Sequence, residues 1–342
     1  MVWKGPRHPV MSERAEKDAY IVGIDAGSVS LNAIVIDNDK AIVYELPYSR
    51  HFGKVEEQNN YLDRHIFERY GQESILSITY TVNFYEFETI SQVLGVLYLK
   101  PDTKTIISMG GQDTALFQIK HHDGGWDLDH FATNGPCASG TGSFMDQQAE
   151  RLATALYENN RETSQVQIDR ILSDFISLGL KSTKPANVAC RCTVFTKSDM
   201  IHLQNKGERL EDIIYGLHLG NARNYISTMV SRRMLEDPIV FVGGLSMNAL
   251  QVKAFQTYFP SLVVPSYSTS TGALGVALKA LELGRKDKGT LDTLKTPRFH
   301  QKLSVPTAPK LEMKKTRWQD TGNRDRFLVT RRTRAYLGID IG

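Results

Sequence analysis

The chain has 342 residues, of which 41% are hydrophobic and 23% charged, values that are typical of globular proteins and exclude fibrous and disordered classes. Its three cysteines are an odd number and too few for a secreted disulfide framework, so we expect a reducing compartment. No apolar run approaches the ~18 residues of a membrane helix, and residues 1–18 lack the apolar stretch of a signal peptide. The composition therefore predicts a cytoplasmic protein without a membrane partner.

Charge is distributed unevenly along the chain. The 41 basic and 38 acidic residues give a net charge of +3, yet residues 285–334 alone hold 15 basic and 5 acidic residues. The rest of the chain therefore carries a net charge of −7, which argues against nucleic-acid binding. Residues 285–334 also contain three prolines and no clear periodicity, so they are predicted to form a basic linker. Residues 1–18 are predicted to be an N-terminal extension.

Apolar periodicity predicts seven elements in the first 109 residues. In chain order they are three strands, a helix, a strand, a helix and a strand, at residues 20–25, 31–36, 41–46, 55–70, 75–82, 86–99 and 105–109. The first three strands are joined by tight turns and should form an antiparallel meander. The order βββαβαβ is that of the ribonuclease H-like α/β fold.

A second cycle of elements follows. Two strands with a turn between them, four helices, a strand and a small-residue helix are predicted at residues 115–120, 131–133, 141–157, 168–176, 196–205, 210–232, 238–242 and 272–283. The turn between the two strands covers residues 121–129. We therefore predict two lobes, the first made of residues 19–106 and 268–284 and the second of residues 107–267.

The last eight residues, 335–342, repeat the opening strand and turn. Gly338, Asp340 and Gly342 in the C-terminal segment match Gly23, Asp25 and Gly27. The repeat predicts that residues 335–342 are the truncated start of a second copy of the same domain.

A glycine-containing turn follows a predicted strand at three places, in residues 23–28, 110–114 and 243–244. A carboxylate at a strand end, a glycine that lets a ligand approach the backbone, and a hydroxyl suit a magnesium–phosphate site. For the first turn alone, a plain hairpin with Gly27 at positive φ is an equal alternative. Three such turns in this order resemble the actin-like ATPase superfamily, in which two hairpin turns hold the phosphates of a nucleotide between two lobes.

Two cysteines, Cys137 and Cys192, lie just before predicted helices. A thiolate at a helix N-terminus is favoured by the helix dipole and the free amides, which suits a metal ligand. The alternative is that each cysteine is a small buried hydrophobic residue. Two cysteines per chain are too few for a closed four-ligand site, whereas two copies of the chain would supply four.

Six segments, taken together, resemble the 2-hydroxyacyl-CoA dehydratase activators, which are the BadF/BadG/BcrA/BcrD-type ATPases. They are GIDAGS (23–28), MGGQDT (109–114), NGPCASGTGSF (134–144), CTVFTKSD (192–199), FVGGLSMN (241–248) and TGALGVAL (271–278), and they span about residues 20–284 in the family's order. The resemblance implies a dimer that shares one [4Fe-4S] cluster, held by Cys137 and Cys192 of each subunit. It also implies that ATP binding and hydrolysis gate a low-potential electron to a dehydratase-like partner. Cys190 lies outside the matching motif and is expected to be an ordinary thiol.

The resemblance also implies roles for the three turns. Asp25 would hold Mg²⁺ through water, while Gln112 and Asp113 would orient the attacking water or the metal shell. The residues expected to contact ATP or ADP are Gly23, Gly27, Ser28, Gly110, Gly111, Thr114, Gly243 and Gly244. The dimer partner is expected to be a second copy of the chain or the second activase copy of a longer tandem protein.

Two positions depart from the family's pattern. Asn32 and Ala115 stand where the family usually has lysines. The loss of two cations beside the phosphates predicts weakened or altered nucleotide handling. Two other functions therefore stay open at this point. One is a sugar kinase of the same superfamily, and the other is a degenerate copy that serves as a dimerisation and docking module.

Overall fold

The computed structural model describes residues 19–81, 88–134, 141–154, 165–190 and 192–284. The predicted N-terminal extension, the basic linker and the C-terminal repeat lie outside the described residues, and so does Cys137. Within the described ranges no helix combines the length and the hydropathy that crossing a bilayer requires.

Two four-stranded sheets with the same strand order form the framework. The strands are β1 Tyr20–Ala26, β2 Leu31–Asp37, β3 Ile42–Glu45, β4 Ile75–Tyr80, β5 Thr105–Met109, β6 Thr114–His122, β7 Gly125–Thr133 and β8 Ile239–Val242. The first sheet has the order β3-β2-β1-β4 and the second the order β7-β6-β5-β8. In each sheet an antiparallel meander is followed by a strand that pairs parallel with the first one. The structure thus confirms the predicted α/β fold with two ribonuclease H-like lobes.

The elements follow the predicted order βββαβαβ, but the last of these strands, β5, belongs to the second sheet. The pattern βββαβαβ assigns residues 105–109 to the end of the first cycle. In the structure β5 pairs antiparallel with β6 and parallel with β8, so both of its edges are occupied within the second sheet. The predicted lobe boundary between residues 106 and 107 therefore falls inside a strand, and a boundary before Thr105 keeps β5 whole.

The hairpin between β6 and β7 is longer than predicted. Residues 121–129 are predicted to be a turn, but β6 runs to His122 and β7 starts at Gly125, so the turn has two residues. Every second residue of β7 is exposed and the others are only half-buried, because β7 is the edge strand of its sheet. A strand with so few buried apolar residues gives a weak sequence signal.

Eight α-helices complete the described part of the fold. They are α1 Val55–Tyr70, α2 Glu88–Leu99, α3 Gly142–Thr154, α4 Gln165–Gly179, α5 Thr193–Asn205, α6 Leu210–Tyr225, α7 Ala249–Gln256 and α8 Thr271–Glu282. The helix α7 was not predicted, and the last turn of the predicted helix 210–232 is a π-helical segment, Ile226–Val230.

The helices α2 and α8 pack on each other and α8 also packs on β1 and β2 of the first sheet. At two glycines, one on each helix, the backbones of α2 and α8 are in direct contact. A Cβ on Gly95 would lie 2.0 Å from the carbonyl oxygen of Thr271, and one on Gly275 would lie 1.7 Å from that of Ser91. Only glycine permits this approach, so the small residues of α8 set the distance between the two helices.

Candidate nucleotide site

The two predicted phosphate turns occupy equivalent positions in the two lobes. Ala26 pairs with Leu31 and Met109 with Thr114, so each connection contains four residues. The Gly27 N–H donates to the Ser30 carbonyl at 3.0 Å, and the Gly110 N–H donates to the Asp113 carbonyl at 2.8 Å. We call residues 27–30 the first turn and residues 110–113 the second turn. The first turn connects two antiparallel strands without the positive φ at Gly27 that the alternative of a plain hairpin assumed.

The two turns contact each other. A Cβ on Gly111 would lie 2.2 Å from Cγ2 of Val29 and 3.4 Å from Oγ of Ser28. Gly27 and Ser28 of the first turn are exposed, and so are Gln112 and Asp113 of the second. The structure therefore brings the two predicted phosphate turns together and leaves the side chains of Ser28, Gln112 and Asp113 accessible, whereas Thr114, also assigned to the nucleotide, is buried.

Asp25 lies at the end of β1, beside the N-terminus of α8. Its Oδ1 accepts a hydrogen bond from Oγ1 of Thr81 at 2.9 Å, and its side chain is half-exposed. Gly272 leaves room for the carboxylate, because a Cβ there would lie 2.9 Å from Oδ2. A half-exposed carboxylate at a strand end fits Mg²⁺, which binds through one or two carboxylates together with phosphate oxygens.

Gly23, which the sequence also assigned to the nucleotide, has a packing role. A Cβ on Gly23 would lie 1.9 Å from the carbonyl oxygen of Ala273 on α8. The close packing of β1 on α8 is therefore sufficient to explain why a glycine stands at position 23, and no contact with a nucleotide is needed.

The second turn is held by Asn134 and by the first residues of α3. Oδ1 of Asn134 accepts from the Thr114 N–H at 2.8 Å, and Nδ2 donates to the Gln112 carbonyl at 3.2 Å. The N–H groups of Gly142 and Ser143 donate to the carbonyls of Gly110 and Gly111 at 3.0 and 2.9 Å. Asn134 belongs to a motif that the sequence singled out for its cysteine, and its own role was missed because the partners lie about 20 residues away.

The third turn, residues 243–248, lies against the start of the second. Gly243 has a φ of +90°, and a Cβ there would lie 2.5 Å from the carbonyl oxygen of Met109. The carbonyl of Gly243 accepts from the Ser246 hydroxyl at 2.7 Å. On the other side, a Cβ on Gly244 would lie 3.0 Å from the hydroxyl oxygen of Tyr48. The third turn thus adjoins both the second turn and a side chain of the first lobe.

Asn248, at the end of the third motif, has a structural role. Its Oδ1 caps α7 by accepting from the N–H groups of Leu250 and Gln251 at 3.0 Å. Its Nδ2 lies 3.0 Å from Nε2 of His218, whose Nδ1 lies 2.8 Å from the Ile214 carbonyl. Burial lowers the pKa of His218 to about 4, so this histidine is neutral and accepts the hydrogen bond from Asn248.

The two positions at which lysines are expected, Asn32 and Ala115, also occupy equivalent places. Asn32 stands opposite Asp25 in the first hairpin and Ala115 opposite Ser108 in the second. Asn32 is 6% exposed, its Nδ2 donates to the Ser30 hydroxyl at 3.3 Å, and its Oδ1 has no hydrogen-bond partner in the structure. Neither residue brings a cation to the turns.

A cavity of about 240 Å³ opens between the first turn, the segment that joins β3 to α1, and α3. It is lined by Ser28 of the first turn, by Ser143 and Asp146 of α3, and by Arg50 and His51. Arg50 and His51 lie in the segment between β3 and α1, residues 46–54, which we call the connector. The sequence analysis missed them because single polar residues in a loop form no motif.

The two described cysteines differ in their environment. Cys192 is the N-cap of α5, with φ −144° and ψ 135°, and its half-buried side chain makes no capping hydrogen bond. Cys190 is 8% exposed, its thiol donates to the Leu217 carbonyl at 3.6 Å, and burial raises its pKa to about 12. The position of Cys192 at a helix N-terminus fits a thiolate ligand, whereas Cys190 fits an ordinary buried thiol. Within the described ranges, His, Cys, Asp and Glu side chains form no group of three that could hold a metal ion.

The chain belongs to the BadF/BadG/BcrA/BcrD ATPase family, whose pattern it matches over residues 50–280. It is 32% identical to the activator of lactoyl-CoA dehydratase from Anaerotignum propionicum, over 78% of this chain and 99% of that protein.

Two solved structures are similar to the chain. One is the activator of the 2-hydroxyisocaproyl-CoA dehydratase from Clostridium difficile with bound ADPNP, with 26% identity and a TM-score of 0.63 over 78% of this chain and 96% of that one. The other is component A of the (R)-2-hydroxyglutaryl-CoA dehydratase from Acidaminococcus fermentans, with 26% identity and a TM-score of 0.63 over 78% and 98%. The resemblance inferred from the six motifs is thereby confirmed.

Proposed function

We propose that the chain is an ATP-hydrolysing activator that delivers a low-potential electron to a 2-hydroxyacyl-CoA dehydratase-like partner. The observation that carries this proposal is the contact between the two equivalent turns, with the half-exposed Asp25 at the end of β1. Exposed Ser28, Gln112 and Asp113 would contact the phosphates or the attacking water, and Asp25 would hold Mg²⁺. Family membership and the nucleotide-bound relative support the ATPase part.

The electron-transfer part concerns Cys192 and Cys137. A [4Fe-4S] cluster, which would supply the low-potential electron, needs four thiolates, and two copies of the chain would provide them. Cys192 stands half-buried at the N-terminus of α5, and its side chain makes no capping hydrogen bond. The second copy is either an identical chain or the second activase copy of a longer protein.

An anaerobic preparation tests both parts. We expect about four iron and four sulfide per dimer, and we expect Cys192→Ala to lose them. The matched control is Cys190→Ala, two residues away, which should keep the iron because Cys190 is buried against α6. Iron retained in Cys192→Ala would contradict the assignment of Cys192.

The same preparation separates the rival functions. ATP hydrolysis without any sugar supports the activator. Hydrolysis that requires a sugar would instead indicate a sugar kinase. Absence of both iron and ATP binding would indicate the docking module, which the residues Asn32 and Ala115 favour.

A further inference from the structure

The connector, residues 46–54, contacts both the first turn and the third turn. The ring of Tyr48 reaches the third turn, where a Cβ on Gly244 would lie 3.0 Å from its hydroxyl oxygen. The Tyr48 side chain also lies close to Ser30 of the first turn, and burial raises the pKa of Tyr48. One half-buried side chain of the first lobe therefore lies between turns that belong to different lobes.

His51 and its neighbours support the first turn. Arg50 pairs with Ser30 in an isolated antiparallel bridge, and the His51 N–H donates to the Val29 carbonyl at 3.0 Å. Nε2 of His51 lies 3.1 Å from the Gly27 carbonyl, and its Nδ1 accepts from the Gly53 N–H at 3.0 Å. Because a carbonyl only accepts and a backbone N–H only donates, the ring carries its proton on Nε2. Two carbonyls of the first turn are thus bound to the connector.

Arg50 extends from the connector to the second lobe. Its Nε and Nη2 donate to Oδ2 and Oδ1 of Asp146, both at 3.1 Å, and its Nη1 lies 3.4 Å from Oδ1 of Asp169. The side chains of Arg50 and Asp146 are only 14% and 21% exposed. A bidentate pair with this degree of burial has a defined geometry and is less screened than a surface ion pair.

Asp146 lies one turn along α3 from the residues that bind the second turn. The N–H groups of Gly142 and Ser143 donate to the carbonyls of Gly110 and Gly111. A continuous series of contacts therefore runs from the first turn through Arg50 and Asp146 to α3, and from α3 to the second turn.

An alternative to a positioning role is that Arg50 binds a phosphate group directly. Two carboxylates already bind the guanidinium, and the side chain of Glu150 lines the same cavity. The acidic groups around Arg50 outnumber its single positive charge, which disfavours an anion at this point. The geometry fits a group that positions the turns.

We propose that Arg50, through its ion pair with Asp146, positions the two phosphate turns against each other and is therefore a positioning residue for nucleotide binding. Tyr48 and His51 hold the connector that carries it. This inference rests on the proposed function in so far as the ligand of the turns is a nucleotide.

A double-mutant cycle on the full chain tests the pair, with Arg50→Gln, Asp146→Asn and the double variant. The affinity for a fluorescent ATP analogue should fall about tenfold in each single variant, and the double variant should be no worse than either. Arg209→Gln, which removes an exposed pair with Glu211, is the control and should keep the affinity of the unmodified chain. Single effects that add fully in the double variant, or an Arg50→Gln affinity within about twofold of the unmodified chain, would overturn the proposal.

Hydrogen exchange without nucleotide separates this proposal from the proposed function. The N–H groups of Gly27, Gly110, Gly142 and Ser143 all donate to backbone carbonyls. They should exchange faster in Arg50→Gln, whereas amides at the far end of the β6–β7 hairpin, in residues 121–127, should not change. Unchanged exchange at all four amides overturns the positioning role. If the four amides exchange faster in Arg50→Gln but the unmodified chain binds no ATP, the positioning role of Arg50 stands and a nucleotide as the ligand of the turns is rejected.

Discussion

The two lobes build the same four-residue turn after their first strand but secure it by different means. The first turn is bound by the connector, whose Arg50 ends in an ion pair with the other lobe. The second turn is bound within its own lobe, by the amide of Asn134 and by two backbone N–H groups of α3. The second turn is therefore fixed within its own lobe, whereas the connector that holds the first turn is itself tied to the other lobe through Arg50.

The fourth strands of the two sheets show a second difference. After β4 comes Thr81, whose hydroxyl donates to Asp25 beside the first turn. After β8 comes Gly243, whose backbone lies against Met109 at the start of the second turn. A hydrogen bond through a side chain in one lobe is thus replaced by direct backbone contact in the other.

Gly243→Ala should have the largest effect, since it breaks this backbone contact. The new Cβ meets the Met109 carbonyl at 2.5 Å and the residue keeps a φ of +90°, so we expect a loss of about 3 kcal/mol in the free energy of unfolding, measured with urea. The control is Gly71→Ala, which has a φ of +75° and no atom within 4 Å of the added Cβ. Equal losses in the two variants would show that the contact with Met109 contributes nothing.

Gly111→Ala should separate the two turns. Its Cβ would lie 2.2 Å from Cγ2 of Val29, and overpacking of this kind costs about 2 kcal/mol. Because ATP binding must bring the separated turns back into this strained contact, the affinity for ATP should fall by at most about thirtyfold. Titration with a fluorescent ATP analogue measures the change. Adding Val29→Ala should restore part of the affinity. Gly124→Ala, where the nearest atom is His122 at 3.5 Å, should bind ATP normally. A Gly111→Ala chain that binds ATP normally would show that contact between the turns is not required.

Asn134→Asp should have the smallest effect and should test the local fixation of the second turn. The carboxylate still accepts from the Thr114 N–H but no longer donates to the Gln112 carbonyl, so we expect a loss of about 1 kcal/mol in the free energy of unfolding. Asn60→Asp on the exposed face of α1 controls for the added charge. If both variants lose the same stability, the hydrogen bond to Gln112 does not hold the turn.

Much of the fold and of the site follows from local sequence. The helix over residues 55–70 and the three turns were predicted because periodicity and glycine placement are local signals. The sheet to which β5 belongs could not be predicted, because a fully buried strand has the same continuous apolar sequence in either lobe. The pair Arg50–Asp146 joins residues 96 positions apart, and no local pattern encodes such a contact.

The glycine contacts between α2 and α8 bear on how the lobes can move. The helix α2 packs on the second sheet through Val93 and Val96, and α8 packs on the first sheet, so this helix pair joins the two lobes. Gly95 and Gly275 bring that pair into backbone contact, which leaves no room for one helix to slide along the other. We therefore expect the lobes to move by a hinge rotation at this helix pair rather than by sliding of α2 along α8. A mechanism with one rotational degree of freedom converts any change at the turns into one defined displacement.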